Sequence, residues 1–247
     1  MEHLVYTSSG NSGSTWFGSV FDAHPETKYI WESDLGSLFS TKNARNAPNL
    51  NDFAESWENR PRMKQHVFEK RGEPKYCVWK LGSAVTPSYD GKTWRNRTMT
   101  FWQVHRELTP KLVHLVRHPA RRFASMLRWS TLKRSTDLLN EGSIGNTRLF
   151  KHRGEPWYKL VRWEDAVLRP METFGSICEF WGIDFCDEMR KFLGSCHEND
   201  ESDNLRDHPI TMTVETVMNR WKALEPEELE MANADVEQNW KGVYEPL

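Results

Sequence analysis

Apolar residues fall along this chain in short runs of two kinds. Leu4-Val5-Tyr6, Tyr29-Ile30-Trp31, Cys77-Val78-Trp79 and Leu112-Val113-His114-Leu115-Val116 are compact and β-prone, and Gly, Pro or charged residues stand within a few positions of each. That is the pattern of strands buried on both faces. Between them Trp16, Phe17, Val20 and Phe21 recur at helical spacing, as do Phe174, Ile177, Cys178 and Trp181, which marks amphipathic helices. The predicted strands are one that begins at Leu4 and residues 28–32, 75–81, 111–116 and 157–161. The predicted helices begin at Trp16 and at Pro119 and cover about 101–108, 171–181 and 225–240. His24-Pro25 stops the first helix, and Pro119 stands where a first helical turn accepts proline. Residues 33–74 are punctuated by Pro48, Pro61 and Pro74 and predict one or two helices among connecting loops. Residues 83–98, 131–156 and 195–211 predict loop. Short strands alternating with helices imply an α/β chain, a three-layer fold with a central parallel sheet flanked by helices. In such folds ligands bind at the carboxyl ends of the strands.

The junction between the first strand and the first helix is made almost wholly of small residues, Thr7-Ser8-Ser9-Gly10-Asn11-Ser12-Gly13-Ser14-Thr15. Such a loop at a helix N-terminus offers unhindered N–H groups and hydroxyls to an anion, at the positive end of the helix dipole. A helix simply capped by Ser12 or Ser14 would use the same residues. An ATP-binding Walker loop needs a Lys after its second Gly, and here Gly13 is followed by Ser14.

Charge sharpens this picture. The 247 residues carry a net charge of −2, which argues against nucleic acid or an anionic membrane as partner. Locally, residues 117–134 hold Arg117, Arg121, Arg122, Arg128, Lys133, Arg134 and His118 without one Asp or Glu. A basic segment in a near-neutral chain suits a small anionic ligand; a solvated helix face is the plainer reading of several of these residues. Cys77, Cys178, Cys186 and Cys196 form no C-x-x-C pair and no metal-ligand spacing with His, so no metal is expected and free thiols in a reducing compartment are. With no apolar run of membrane-spanning length and no leader before the first strand, a cytoplasmic chain of one domain, 1–247, is expected. Residues 33–74 and 131–156 are expected to be insertions over an acceptor site.

Asn11-Ser12-Gly13-Ser14-Thr15-Trp16 resembles the 5′-phosphosulfate loop of sulfotransferases, Lys/Arg-Ser-Gly-Ser/Thr-Thr-Trp. These enzymes take a sulfuryl group from 3′-phosphoadenosine 5′-phosphosulfate (PAPS) and release adenosine 3′,5′-bisphosphate (PAP). The resemblance implies a P-loop-like fold. Leu115-Val116-Arg117-His118-Pro119 resembles the family's Val-Arg-Asp-Pro segment, in which the Arg and a Ser eight residues later bind the 3′-phosphate; Arg117 and Ser125 keep that spacing, and His118 replaces the Asp. Val161-Arg162-Trp163-Glu164-Asp165, Phe180-Trp181-Gly182-Ile183, Arg220-Trp221 and Gly242-Val243-Tyr244-Glu245-Pro246 resemble further family segments in the family's order. The resemblance implies cofactor binding by Asn11, Ser12, Gly13, Ser14, Thr15, Trp16, Arg117, Ser125 and Trp163, with Trp163 and Trp16 on either side of the adenine. Both indoles would serve equally well as core aromatics.

Sulfuryl transfer needs an in-line acceptor oxygen, a base for its proton, and positive charge around the sulfonate and the leaving phosphate. Asn11 stands where the family has a basic residue, and it brings a hydrogen bond but no charge. Lys80 occupies the strand on which relatives carry a Lys close to the sulfonate. The His base of the aryl and steroid type is replaced by Gly82. Glu32, twenty-one residues after Asn11, fits the Glu base of the carbohydrate type, to which the chain is therefore closer; His66 and His105 are fallback bases. Catalysis is thus expected from Glu32, Lys80 and Asn11, on a small-molecule or carbohydrate acceptor bearing a hydroxyl or amine. A PAPS or PAP binder without activity and a P-loop small-molecule kinase are the alternatives.

Overall fold

The computed structural model describes residues 2–9, 12–30, 74–82, 85–87, 94–96, 110–129, 143, 146–195 and 214–247. Asn11, Glu32, His66, His105, the expected helix at 101–108 and nearly all of the stretch 33–74 lie outside the described residues.

Five strands, β1 (Glu2–Ser8), β2 (Thr27–Ile30), β3 (Tyr76–Gly82), β6 (Leu112–Val116) and β7 (Tyr158–Arg162), make one sheet in the order β2-β3-β1-β6-β7. Every pairing in it is parallel. β4 (Val85–Pro87) and β5 (Trp94–Asn96) pair antiparallel as a separate two-stranded sheet. This corrects the expectation of loop over 83–98: three-residue strands broken by Pro87 carry too few alternating positions to register as a period.

Alternation along the strands sorts the core into two layers. Leu4 and Tyr6 of β1, Tyr76 and Val78 of β3, and Val113 and Leu115 of β6 share one apolar cluster with Trp16, Phe17, Val20 and Phe21 of α1 (Ser14–Asp22). α3 (Trp163–Leu168), α4 (Pro170–Trp181) and α5 (Asp187–Ser195) complete that layer through Val167, Phe174, Ile177 and Met189. On the opposite face Val116 packs with Phe150, Val236, Trp240 and Tyr244. Here α2 (Pro119–Trp129) lies against α7 (Pro226–Asn239) through Ala120, Phe123 and Ala232. A short helix, α6 (Val214–Met218), and a 3-10 turn (Arg220–Ala223) connect the layers. Residues 146–150 are helical rather than loop; Leu149 and Phe150 are buried, Phe150 against the second layer.

The strand order places the loop after β1 beside the end of β6. α1 leads from β1 toward β2 on one side, while β6 leads through α2 toward β7 on the other. The chain therefore parts between the carboxyl ends of β1 and β6, the place where open α/β sheets hold their ligands.

Candidate active site

β1 enters the site buried from His3 onward and ends at Ser8. Gly13, the residue before α1, has φ 71°, a left-handed conformation that glycine adopts without strain. A Cβ built on it would stand 2.1 Å from Nε1 of Trp163. Both the turn and the space thus require glycine here. Below the loop, the Tyr6 hydroxyl donates to the Ser14 carbonyl (2.7 Å) and meets the Tyr29 hydroxyl (2.7 Å). The first turn of α1 is thereby tied to β1 and β2.

Arg117 follows β6 directly and is only 3% exposed. Its guanidinium carbon lies 3.9 Å from the centroid of the Trp163 ring, a cation–π stack worth on the order of 0.5–2 kcal/mol. Burial, opposed by the nearby Glu164 carboxylate and reinforced by Arg220 and Arg121, lowers its pKa to about 10. The group therefore stays cationic at neutral pH in a poorly hydrated place, which favours an anionic partner. Ser125, two turns along α2, is buried on the same helix as Arg121 and Arg122.

Glu164 organises the rim around Arg117. Its carboxylate accepts from the His118 backbone N–H (3.0 Å) and the Tyr244 hydroxyl (2.7 Å), and Arg121 Nη1 lies 3.6 Å away. Burial, together with the Glu164 charge, pushes the Tyr244 phenol well above its ordinary pKa, so it serves as donor. His118 caps the helix that follows it. Its Nδ1 accepts from the Ala120 N–H (3.1 Å), and Ala120 is the second residue of α2. That is the bond an Asp at the N-cap would make. The other ring nitrogen, Nε2, donates to the Glu245 carbonyl (3.0 Å) and holds the chain's last residues against the site. Tyr244 and Glu164 were not legible as site residues, because nothing local in the sequence links positions eighty residues apart.

No family model and no curated protein sequence matches the chain. Among solved structures, the sulfotransferase domain from the curacin biosynthetic pathway is similar over 95% of this chain and 96% of its own, at 14% identity and a TM-score of 0.54. Mouse sulfotransferase SULT7A1 complexed with PAP matches over 98% of this chain and 85% of its own, at 12% identity and a TM-score of 0.54. Retinol dehydratase, in complex with androsterone and the inactive cofactor PAP, matches over 97% and 81%, at 15% identity and a TM-score of 0.51.

The fold is the sulfotransferase fold.

Within this sulfotransferase fold, the loop after β1 and Trp163 bring together most of the described members of the sequence-derived set. Ser12, Gly13, Ser14, Thr15 and Trp16 form the loop and the first turn of α1, and Trp163 covers Gly13 while stacking on Arg117. Trp16 is buried edge-on against Phe174, ring centroids 5.6 Å apart. Lys80 is buried in β3 opposite Tyr6, one pleat before the Ser8–Gly82 pair that ends both strands. The Nε1 donors of Trp16 and Trp163 and the Ser8 hydroxyl are buried without a hydrogen-bond partner among the described residues. Groups of this kind lose free energy unless an acceptor reaches them. Among the described residues no group of His, Cys, Asp and Glu is arranged to hold a metal ion. Likewise, no described helix is long and apolar enough to cross a membrane.

Proposed function

We propose that this chain is a sulfotransferase that moves the sulfuryl group of PAPS to a hydroxyl or amine of a small-molecule or carbohydrate acceptor. One observation carries the reading: the loop after β1, the buried guanidinium of Arg117 and the indole of Trp163 meet at the carboxyl end of the sheet. The complexes of two proteins of similar fold with PAP support the same ligand. The residues present fit it. The edge of Trp163 lies against Gly13, the buried donors of Trp163, Trp16 and Ser8 have no partners among the described residues, and the desolvated cation of Arg117 stacks on the same indole.

PAPS, when bound, supplies a sulfuryl group already activated by its bond to phosphate. The chain supplies position and charge. In this reading Arg117 and Ser125 hold the 3′-phosphate with a guanidinium fork and a hydroxyl. Asn11, Ser12, Gly13, Ser14 and Thr15, with the N-terminus of α1, hold the 5′ side. Trp16 and Trp163 serve the adenine. Lys80 supplies the positive charge that Asn11 lacks, and Glu32 takes the acceptor's proton. Gly82 at the end of β3 has no side chain to act as base, which favours a carboxylate base and an assignment nearer the carbohydrate type.

The test is transfer of label. The protein is incubated with sulfur-labelled PAPS and a panel of sugars, phenols, sterols and amines, and sulfated product is measured beside PAP release. Label in an acceptor, with stoichiometric PAP, is expected. PAP binding without transfer to any acceptor class would reduce the protein to a nucleotide binder.

A further inference from the structure

A line of buried hydrogen bonds leads from the loop after β1 into the second layer of the fold. The Ser12 and Ser9 hydroxyls lie 2.8 Å apart. The Asn146 Nδ2 amide donates to Ser9 Oγ at 3.3 Å. On its other side, Asn146 Oδ1 lies 2.8 Å from His114 Nε2, and His114 Nδ1 lies 2.6 Å from the Tyr158 hydroxyl. Ser12, Asn146 and His114 are wholly buried, and Ser9 is nearly so.

The line has a direction. Asn146 Oδ1 can only accept, so His114 Nε2 carries the hydrogen. Burial holds this imidazole neutral, with a pKa of about 4, so Nδ1 is left as an acceptor for the Tyr158 hydroxyl. Burial likewise keeps that phenol protonated. The Asn146 amide fills one lone pair of Ser9, and the Ser9–Ser12 bond itself can run either way. From Tyr158 to Ser9 each group donates toward the loop, and when the Ser9 hydrogen lies on Ser12 the Ser12 hydrogen is left over for whatever occupies the loop.

We propose that Asn146, oriented by His114, is a positioning residue that turns the Ser12 hydroxyl into a donor toward the 5′-phosphate of the nucleotide. This rests on the PAPS reading. A set of buried polar groups that merely satisfied one another would be indifferent to direction. An anion in the loop is not, because it needs donors and is repelled by lone pairs. Reversing the line at one point is therefore a sharper test than breaking it. Asn146→Asp keeps the shape but offers Ser9 an acceptor in place of a donor. Ser9 must then donate to the carboxylate and accept from Ser12, and the Ser12 hydrogen is drawn away from the ligand.

The experiment is calorimetry with two probes, PAP and adenosine 3′-monophosphate, which differ only in the 5′-phosphate. They are measured on the wild type, Asn146→Asp, Ser12→Ala and the double variant. Asn146→Asp should weaken PAP about tenfold or more, the scale of one charge-assisted hydrogen bond, and leave the monophosphate within about twofold. In the Ser12→Ala background the Asp substitution should cost no further selectivity, because the residue through which it acts is gone. Ser9→Ala interrupts the same line by removing a single hydroxyl and should reproduce the selective loss if Asn146→Asp does not fold. Equal weakening of both probes, or selectivity losses that add in the double variant, would overturn the positioning role alone. A wild-type protein that binds neither probe would overturn the PAPS reading and the positioning role together.

Discussion

The guanidinium of Arg117 stacks on the indole of Trp163 at 3.9 Å, and the edge of the same indole closes the space over Gly13. Three segments distant in sequence, the loop after β1, the end of β6 and the start of α3, are locked by one ring. The cation is thereby fixed before any ligand arrives, and less side-chain freedom is lost on binding.

Gly13→Ala should disturb this lock directly. Its φ of 71° costs a residue with a Cβ on the order of 1–3 kcal/mol, and the new methyl would collide with Trp163 Nε1. Thermal denaturation should show a clear loss of stability. Adding Trp163→Ala removes the collision but not the backbone strain. The double variant should therefore lose less than the two single losses added together. A Gly13→Ala protein as stable as wild type would show that this ring does not constrain the loop.

Acid should destabilise the protein through His114. Burial, beside Tyr158 and the Phe150 ring, lowers its pKa from 6.5 to about 4 against the raising effect of the hydrogen bond to Asn146. Above pH 6.5 neither the folded nor the unfolded chain binds the proton, and the contribution is complete. As pH falls from there toward 4, the unfolded chain takes up a proton that the native state refuses, and stability drops. Between pH 6.5 and pH 5 the loss should be about 2 kcal/mol from this residue. His118 and His152 are shifted the same way, also by burial, so the measurement is a difference. Urea unfolding of wild type and His114→Gln at both pH values should show the smaller pH dependence in the variant. Equal dependence would place the titration elsewhere.

Lys80 and Glu32 separate chemistry from binding. PAP has no sulfonate, so Lys80→Ala should abolish turnover while leaving PAP affinity close to wild type. Glu32→Gln keeps shape and loses basicity, and kcat should fall by about 10²–10⁴-fold, with loss of the acidic limb of the pH–rate profile. Wild-type rates in Lys80→Ala would end its role as the substitute cation. A kcat within a few-fold of wild type in Glu32→Gln would favour an acceptor that needs no protein base.

The large sheet was legible because its strands are apolar runs long enough to declare themselves; the observed β3, β6 and β7 differ from the expected ranges by no more than one residue at either end. α5 escaped notice for the opposite reason: Met189, Phe192 and Leu193 are its only large apolar positions among charged neighbours. The β4–β5 pair and the helical residues 146–150 are too short for any period to emerge. At the site, the Gly13 turn and Arg117 could be read from local spacing and from the resemblance. The Tyr244–Glu164 contact and the line from Ser12 through Asn146 to His114 could not. They join residues brought together only by the crossing of layers, and no local pattern encodes that meeting.

The most direct measurement is calorimetric titration of the protein with PAP, set beside ATP with Mg²⁺ and repeated on Arg117→Ala. Saturable binding of PAP is expected, with ATP a poor competitor. In Arg117→Ala the affinity should fall by about 1.5–3 kcal/mol, the worth of a charge-assisted contact, or roughly tenfold to a hundredfold. Absence of PAP binding, preference for ATP with Mg²⁺, or an unchanged PAP affinity in Arg117→Ala would contradict the assignment of this site to PAPS.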